Sequence, residues 1–316
     1  MKTKTIIFLI LFILIFSFVN NNYLTKPEYF PALIIVYDDG HKEDITKALP
    51  IHQKYGVPAV SAVYTSAIGS GYSLNQEDLL RLQANGWEIA SHGKYHSALI
   101  YNSITEKINA GDKAIKLNHS NLVEEKHTYY IYNTKQHYGE KIKFSHTVHK
   151  SENLYHVLSD EINNFYPEKS TLIKLTKEAM KEEIVGSKLV LEEMGLNVNS
   201  FVYPYNGIIE PASKIVKKYY DFGRGGGRAS LNFPNNFINQ IPLTVNKLKG
   251  VSFDKSDLEK DILDQLLKEA ADKKVLLIFY GHTGNDSFST ERLEYLIKKA
   301  QRLDYNITTF NELSGK

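Results

Sequence analysis

The sequence predicts an α/β fold: a distorted (β/α) barrel of about seven units, TIM-like, with a hairpin-containing insertion. Three observations lead there. Short apolar runs rich in β-branched residues alternate with longer segments of helical period, the pattern of a parallel sheet covered by helices. Seven or eight such units fill the chain after its first residues, which suits a barrel. The alternation fails between residues 97 and 170 and then resumes, as one insertion on the main fold would make it.

Taken in order, the chain starts with Lys2 and Lys4 before an unbroken apolar run, Ile6 to Phe16, which continues to Val19 and ends at Asn20–Asn22. A positive stretch followed by such a run is a targeting segment. It is short for a stable span, which needs roughly 17–25 residues. Ser17-Phe18-Val19 is a poor cleavage site. Residues 1–26 therefore read as a signal peptide or an N-terminal membrane anchor. Either predicts an exported protein, secreted or membrane-anchored at the extracytoplasmic face, with the barrel in residues 27–316 and the insertion at about 97–170.

In the stretch Ala32–Gly40, the apolar run Leu33 to Tyr37 reads as a buried strand that runs into Asp38, Asp39 and Gly40. Lys42–Tyr55 follows as a helix and Ala59–Thr65 as a strand. Asn75 with Asp78 three residues on marks a helix start, and Gly86 its stop. Trp87–Ser91 is a strand leading directly into His92. In the insertion, Lys107–Asn121 is polar and loop-like, whereas Thr128–Tyr132 and Lys141–Val148 alternate as two strands of a hairpin. A helix is expected from Thr171 to Met194, then a strand at Ser200–Tyr203 and a helix at Pro211–Tyr219. Gly223–Gly227 reads as a Gly/Arg loop and Ile241–Val245 as a short strand. A helix capped by Ser256 reaches about Lys273. The strand Val275–Tyr280 ends at Gly281-His282. Ser289 caps a helix to Leu303, and Asn306–Thr309 is the last strand.

Composition narrows the function. The 316 residues carry 38 basic and 36 acidic side chains, a net charge of +2 with no long basic run, so nothing points to nucleic acid. Cysteine is absent, which excludes disulfides and thiolate metal sites. Tyrosine is abundant, at 21 residues, and tyrosine-rich surfaces suit sugars and wet interfaces.

The chemistry-bearing residues share one place. Asp38 and Asp39, His92 and His96, Tyr203-Pro204-Tyr205, and His282 each follow a predicted strand, the end where parallel barrels assemble their sites. Side chains alternate along a strand, so Asp38 and Asp39 start toward opposite sides and can hold different jobs. His92 and His96, four residues apart, fall on one face if the segment is helical. With one Asp they form a two-His, one-carboxylate set that leaves a tetrahedral ion an open position.

The order Tyr-Asp-Asp-Gly (37–40), His-Gly-Lys-Tyr-His (92–96), Tyr-Pro-Tyr (203–205) and a strand ending in His282 resembles the polysaccharide deacetylase family, the NodB-homology group or carbohydrate esterase family four. The resemblance covers roughly 32–97 and 171–313 and skips the insertion. It implies a barrel of about seven units and removal of N-acetyl groups from sugar polymers with one divalent metal. Zinc is the expected ion, with cobalt or nickel as alternatives. It implies Asp38 as general base, Asp39, His92 and His96 as metal ligands, the Tyr205 N–H as oxyanion donor and His282 as general acid. Many members carry an Arg two residues before the Pro of the third motif. Val202 stands there, and Arg224, or Arg228, is expected to replace it from another loop, with Gly225 shaping the approach. Asp221 is expected to set the pKa of His282. No Trp follows in the fourth motif, the only one being Trp87; Leu276 and Leu277 are candidates for the acetate pocket's wall.

The insertion holds His119, His127, His137, His146, His149 and His156. It reads as a lid or groove wall, in which Tyr129, Tyr130 and Tyr132 stack on sugars or pack the hairpin, and a second metal site is the lesser reading. The leading expectation is a metal-dependent deacetylase of a polymer containing N-acetylglucosamine, such as peptidoglycan, poly-N-acetylglucosamine or another surface glycan, acting as a monomer. The alternatives are a non-catalytic glycan-binding protein on the same fold and a metal-dependent amidase of small molecules.

Overall fold

The chain is described by a computed structural model over residues 30–150, 153–226, 236–254 and 258–314. Its strands, in chain order, are β1 Ala32–Tyr37, β2 Val60–Val63, β3 Glu88–Ser91, β4 Asn102–Ser103, β5 Ala114–Ile115, β6 Thr128–Asn133, β7 Gly139–Lys150, β8 Asn153–Leu158, β9 Thr171–Leu175, β10 Ser200–Val202, β11 Phe222–Gly226, β12 Ile238–Asn239, β13 Leu248–Ser252, β14 Leu276–Gly281 and β15 Asn306–Thr308. Seven of these, β1, β2, β3, β10, β11, β13 and β14, run parallel in that order, and β14 pairs back onto β1 to close a barrel. The distortion sits at the seam. β15 takes Ala32 to Ile34 of β1 at the base, and β2 takes only Val36 and Tyr37 above it.

The alternation of each strand divides the core in two. Ala32, Ile34 and Val36 fall in the same apolar cluster as Val60, Ala90, Val202, Phe222 and Ile278, which fills the barrel. Leu33, Ile35 and Tyr37 belong to the larger cluster shared with the helices. Strands that are apolar on both faces need just such a double cover. Helix starts follow the caps: Asn75 and Asp78 form a capping box for Gln76–Ala84, and Ser289 accepts from the Arg292 N–H ahead of Thr290–Arg302. No helix among the described residues is long and apolar enough to cross a membrane, and the targeting segment lies outside them.

The structure differs from the sequence expectations in three places. The insertion contains the expected hairpin, β6 with β7, within a second, antiparallel sheet of spatial order β4, β9, β6, β7, β8 and β5. Its strand β9 occupies Thr171–Leu175, where a helix was expected. That stretch alternates buried and half-buried and pairs with β6, and the helix starts only after Thr176 caps it. The expected Gly/Arg loop is barrel strand β11. Its glycines let neighbours close in: a Cβ on Gly225 would lie 2.6 Å from Ile208 Cδ1. Finally, the strand expected at 241–245 is absent. Pro242 stands in that stretch, and the barrel strand is the Leu248–Ser252 run just beyond it. The expected Ser256 cap lies outside the described residues.

Two helices contain a π-helical turn, Asp44–Ala48 and Glu182–Gly186, each next to the site end of the barrel. Such turns displace one residue from the helical spiral. Here each holds a fully buried carboxylate, Asp44 and Glu183.

Candidate active site

The interior register of the barrel continues past the strand ends into polar side chains. On β1 the sequence Ala32, Ile34, Val36 leads to Asp38. On β3, Ala90 leads to His92. On β11, Phe222 leads to Arg224, and on β14 Ile278 and Tyr280 lead to His282. One period-2 rule therefore brings side chains from distant parts of the chain to a single mouth.

Asp39 is in the left-handed region (φ 76°), as is His96 (φ 60°), and these turns bring both side chains to His92. The Nε2 atoms of His92 and His96 are 3.1 Å apart. Asp39 Oδ1 lies 3.2 Å from His96 Nε2 and 3.5 Å from His92 Nε2. Nδ1 of His92 donates to the Val202 carbonyl at 2.8 Å, which leaves its Nε2 lone pair facing the cluster. Asp39 Oδ1 is buried with no hydrogen-bond donor on it. Three lone-pair atoms thus converge with no donor to reconcile them, and a divalent cation is the group that would. Among the described residues, Asp39, His92 and His96 form the group that could hold a metal. Burial alone would raise Asp39, but His41, His92 and His96 hold it well below the usual carboxylate range. Burial, then the neighbouring His92, lowers His96 to about 4.

Asp38 is buried beside a fully buried arginine. Arg224 Nη2 donates to Asp38 Oδ1, and Nη1 donates to Asn206 Oδ1 at 2.6 Å. The guanidinium also lies 4.5 Å from the centre of the Tyr280 ring, whose hydroxyl accepts from Asn206 Nδ2 at 2.8 Å. A Cβ on Gly250 would sit 2.8 Å from Arg224 Cδ, so that glycine makes room for the arginine stem. Arg224 reaches Asp38 from strand β11. Arg228 lies outside the described residues.

His282 is positioned by Asp254. Its Nδ1 is 2.8 Å from Asp254 Oδ2, and its backbone N–H donates to the same oxygen at 3.2 Å. Burial works to lower the pKa of His282, but the bond to Asp254 and the charges of Asp38 and Asp39 outweigh it and raise it to about 9. Asp221, expected in that role, is exposed and precedes β11, at the opposite end of the strand from the site; its N–H donates to Asn199 O. Asp254 follows the strand that the sequence reading misplaced, so the strand-end rule had no strand to apply to there.

Tyr205 lies in a left-handed turn with Asn206 (φ 53° and 58°), 49 % exposed, its ring centre 4.6 Å from that of His96. Trp87 is buried as a stacking partner of Tyr37, and Leu276 and Leu277 are fully buried core at the base of β14, so neither leucine walls the site.

Beneath the 92–97 loop lies Glu183. Its carboxylate accepts the backbone N–H groups of Lys94 and Tyr95 at 3.0 to 3.2 Å, and that of Ser97 at 3.4 Å. His127, from the insertion, closes the arrangement, with Nε2 2.9 Å from Glu183 Oε1 and 2.8 Å from Ser97 Oγ. Sequence reasoning missed Glu183, which sits mid-helix like any solvated acid, and its only signal was burial. Of the other insertion tyrosines, Tyr129 packs on Phe144, and Tyr130 and Tyr132 stack on each other.

A family model described as polysaccharide deacetylase matches residues 26–220. No curated protein matches the chain. Among solved structures, the chain is similar to a CE4 family pseudoenzyme from Bacillus anthracis, with 11 % identity over 90 % of this chain and 66 % of that one and a TM-score of 0.50. It is similarly close to a mutant of that pseudoenzyme with restored enzymatic activity, at 12 % identity, 90 % and 68 % coverage and a TM-score of 0.50. The chain thus spans about two thirds of the length of both, and at these identities the likeness is one of fold. A mutant of the peptidoglycan deacetylase PdaC from Bacillus subtilis matches at 14 % identity over 92 % of this chain and 93 % of that one, with a TM-score of 0.46.

Proposed function

Because the chain belongs to the polysaccharide deacetylase family, we propose that it is a metal-dependent hydrolase that removes N-acetyl groups from a polysaccharide containing N-acetylglucosamine. The observation that carries this reading is the flanking of one donor set by two separately anchored proton carriers. Asp39, His92 and His96 would hold the ion, with Asp38 fixed by Arg224 and His282 fixed by Asp254. Two imidazoles and a carboxylate suit zinc, with cobalt or nickel as substitutes. Such an ion supplies Lewis-acid chemistry toward water and the amide carbonyl.

The chain's own residues supply the rest. Asp38 takes a proton from the attacking water, and Arg224 holds its carboxylate in place for that transfer. The Tyr205 N–H, presented by the left-handed turn, donates to the oxyanion that develops on the acetyl carbonyl. His282 gives its Nε2 proton to the departing sugar amine as the C–N bond breaks, while Asp254 accepts from Nδ1 and fixes the ring. Peptidoglycan, poly-N-acetylglucosamine and other surface glycans are the candidate substrates. The apolar segment Ile6–Phe16 supports an extracytoplasmic place of action, secreted or anchored at the membrane.

The test is acetate release from a panel of N-acetylated polymers, before and after chelation. The expected result is activity that chelation abolishes and added zinc or cobalt restores. Full activity in a metal-stripped sample, or polymer binding without acetate release across the panel, overturns it.

A further inference from the structure

A cavity of about 890 Å3 lies away from the strand-end site, between the insertion sheet and the barrel helices. This is within the roughly 300–1,000 Å3 of ligand pockets. Its floor is apolar, built from Leu175, Met180, Pro211 and Ile215. Its walls are cationic: six lysines line it against two glutamates, on a molecule whose net charge is only +2. The glutamates are already engaged, Glu210 by Lys247 at 2.7 Å and Glu178 by Lys141 at 3.9 Å. Among the described residues, no carboxylate pairs with Lys174, Lys177, Lys181 or Lys218.

Aromatic faces accompany the charges. Lys174 Nζ lies 5.7 Å from the ring centre of Tyr101 and 5.2 Å from that of Tyr132, and Tyr132 stacks on Tyr130 at 6.1 Å. Tyr101 is 39 % exposed. Concentrated, unneutralised positive charge inside a concavity raises the local concentration of anions. Tyrosine faces offer apolar area with a polar tip, which suits a sugar ring. A lipid surface is flat and fits a concave groove poorly. The segment 207–209 runs from the Tyr205–Asn206 turn of the catalytic mouth directly into the helix Glu210–Tyr219 that forms one wall of the groove.

We propose that this groove is a second glycan-binding site, which seats a carboxylate- or phosphate-bearing stretch of an anionic polysaccharide while another part of the same polymer occupies the catalytic mouth. The proposal rests on the reading of the strand-end site as a polysaccharide deacetylase and narrows its substrate class to acidic glycans.

The test uses the full-length protein carrying Asp38→Asn, so that binding is read without turnover. The probes are a hyaluronan hexasaccharide, a glycerol phosphate polymer, an uncharged N-acetylglucosamine hexamer, and phosphatidylglycerol vesicles. At least one of the two anionic polymers should bind about tenfold more tightly than the uncharged hexamer, and the advantage should fade in high salt. Lys174→Gln with Lys181→Gln should remove the advantage, with an unchanged melting temperature as the folding control. Tyr101→Ala, which leaves the charge in place, should weaken the anionic polymer as well. Equal binding of charged and uncharged polymers, or an advantage that survives the lysine substitutions, overturns the proposal. So does lysine-dependent binding of the vesicles with neither anionic polymer bound. Acetate release by the wild-type chain is scored separately. Release from the uncharged hexamer without groove binding defeats the groove alone, and lysine-dependent binding without release from any polymer defeats the deacetylase reading alone.

Discussion

Asp38 and Asp39 are neighbours in sequence and unlike in surroundings. Asp38 is gripped by a cationic side chain deep in the barrel, and Asp39 faces two imidazoles at the mouth. Asp38→Asn should lower turnover by about 10²–10⁴, the usual worth of a general base, with metal content unchanged. His92→Ala should lose metal and turnover together, and a metal assay on both proteins separates the two cases. His282 gives a pH test. Its pKa is raised to about 9, so the acid form is present at neutral pH and disappears as pH climbs through that value. A nearby divalent cation acts in the opposite direction, so the informative comparison is between variants. In Asp254→Asn the basic limb of kcat/KM should move toward lower pH, in the direction of the ordinary histidine value near 6.5. An unmoved limb would mean that Asp254 does not govern the proton on His282.

At the scale of elements, the π-helical turn at Glu182–Gly186 determines how well the loop carrying His92 and His96 is held. Gly93 is left-handed (φ 89°), and a Cβ there would lie 2.8 Å from Glu183 Oε2, so loop and carboxylate leave no slack. Glu183→Gln keeps the shape and removes the charge that three backbone N–H groups share. We expect metal affinity to fall by roughly 10–100-fold, as for lost outer-shell partners, read by titration with a competing chelator. Unchanged affinity would make Glu183 purely structural. At the other end of the barrel, Glu88 opens β3, accepts from Ser200 Oγ at 2.5 Å and from the Asn311 N–H at 2.8 Å, and is pushed up to about 7, chiefly by burial. Its folded pKa lies above the unfolded value. Its stabilising contribution is therefore complete below pH 4.5 or so and is lost as pH rises through about 7, a span worth on the order of 3 kcal/mol. Glu88→Gln should flatten that slope in urea unfolding between pH 5 and 8, and an identical slope would refute the assignment. The same elements show what the sequence displayed and what it hid. β1 and β14 are apolar runs that lead into Asp38 and His282, and β3 is a short strand that leads into His92; run and ending are visible in sequence. β11 was not legible, because glycine and arginine look like a loop until the neighbours that close over them are known, and β13 was not, because Lys249 and Gly250 interrupt its apolar residues. Asp254 was lost with β13. Glu183 and His127 meet across the insertion boundary, a distance in sequence that no local pattern spans.

For the whole molecule, the site ties together β1, β3, β11 and β14, so an ion bound there should stabilise the entire barrel. At about a thousand times its Kd, zinc should add about 4 kcal/mol, seen as a rise in Tm that His92→Ala does not share. No rise at saturating zinc would sink the metal site. The closure of β14 onto β1 has a further consequence, for how the chain comes to be folded at all. The first barrel strand must wait for almost the last, and pairing over so long a separation makes for a high contact order and slow folding. Until β14 arrives, β1 presents an unpaired apolar edge of the kind that seeds aggregation. His282 rides in on that same late strand, so this histidine joins the site only as the barrel shuts. Chains cut before Leu276 should therefore accumulate as aggregates, and refolding followed by acetate release should regain activity in step with the slowest structural phase.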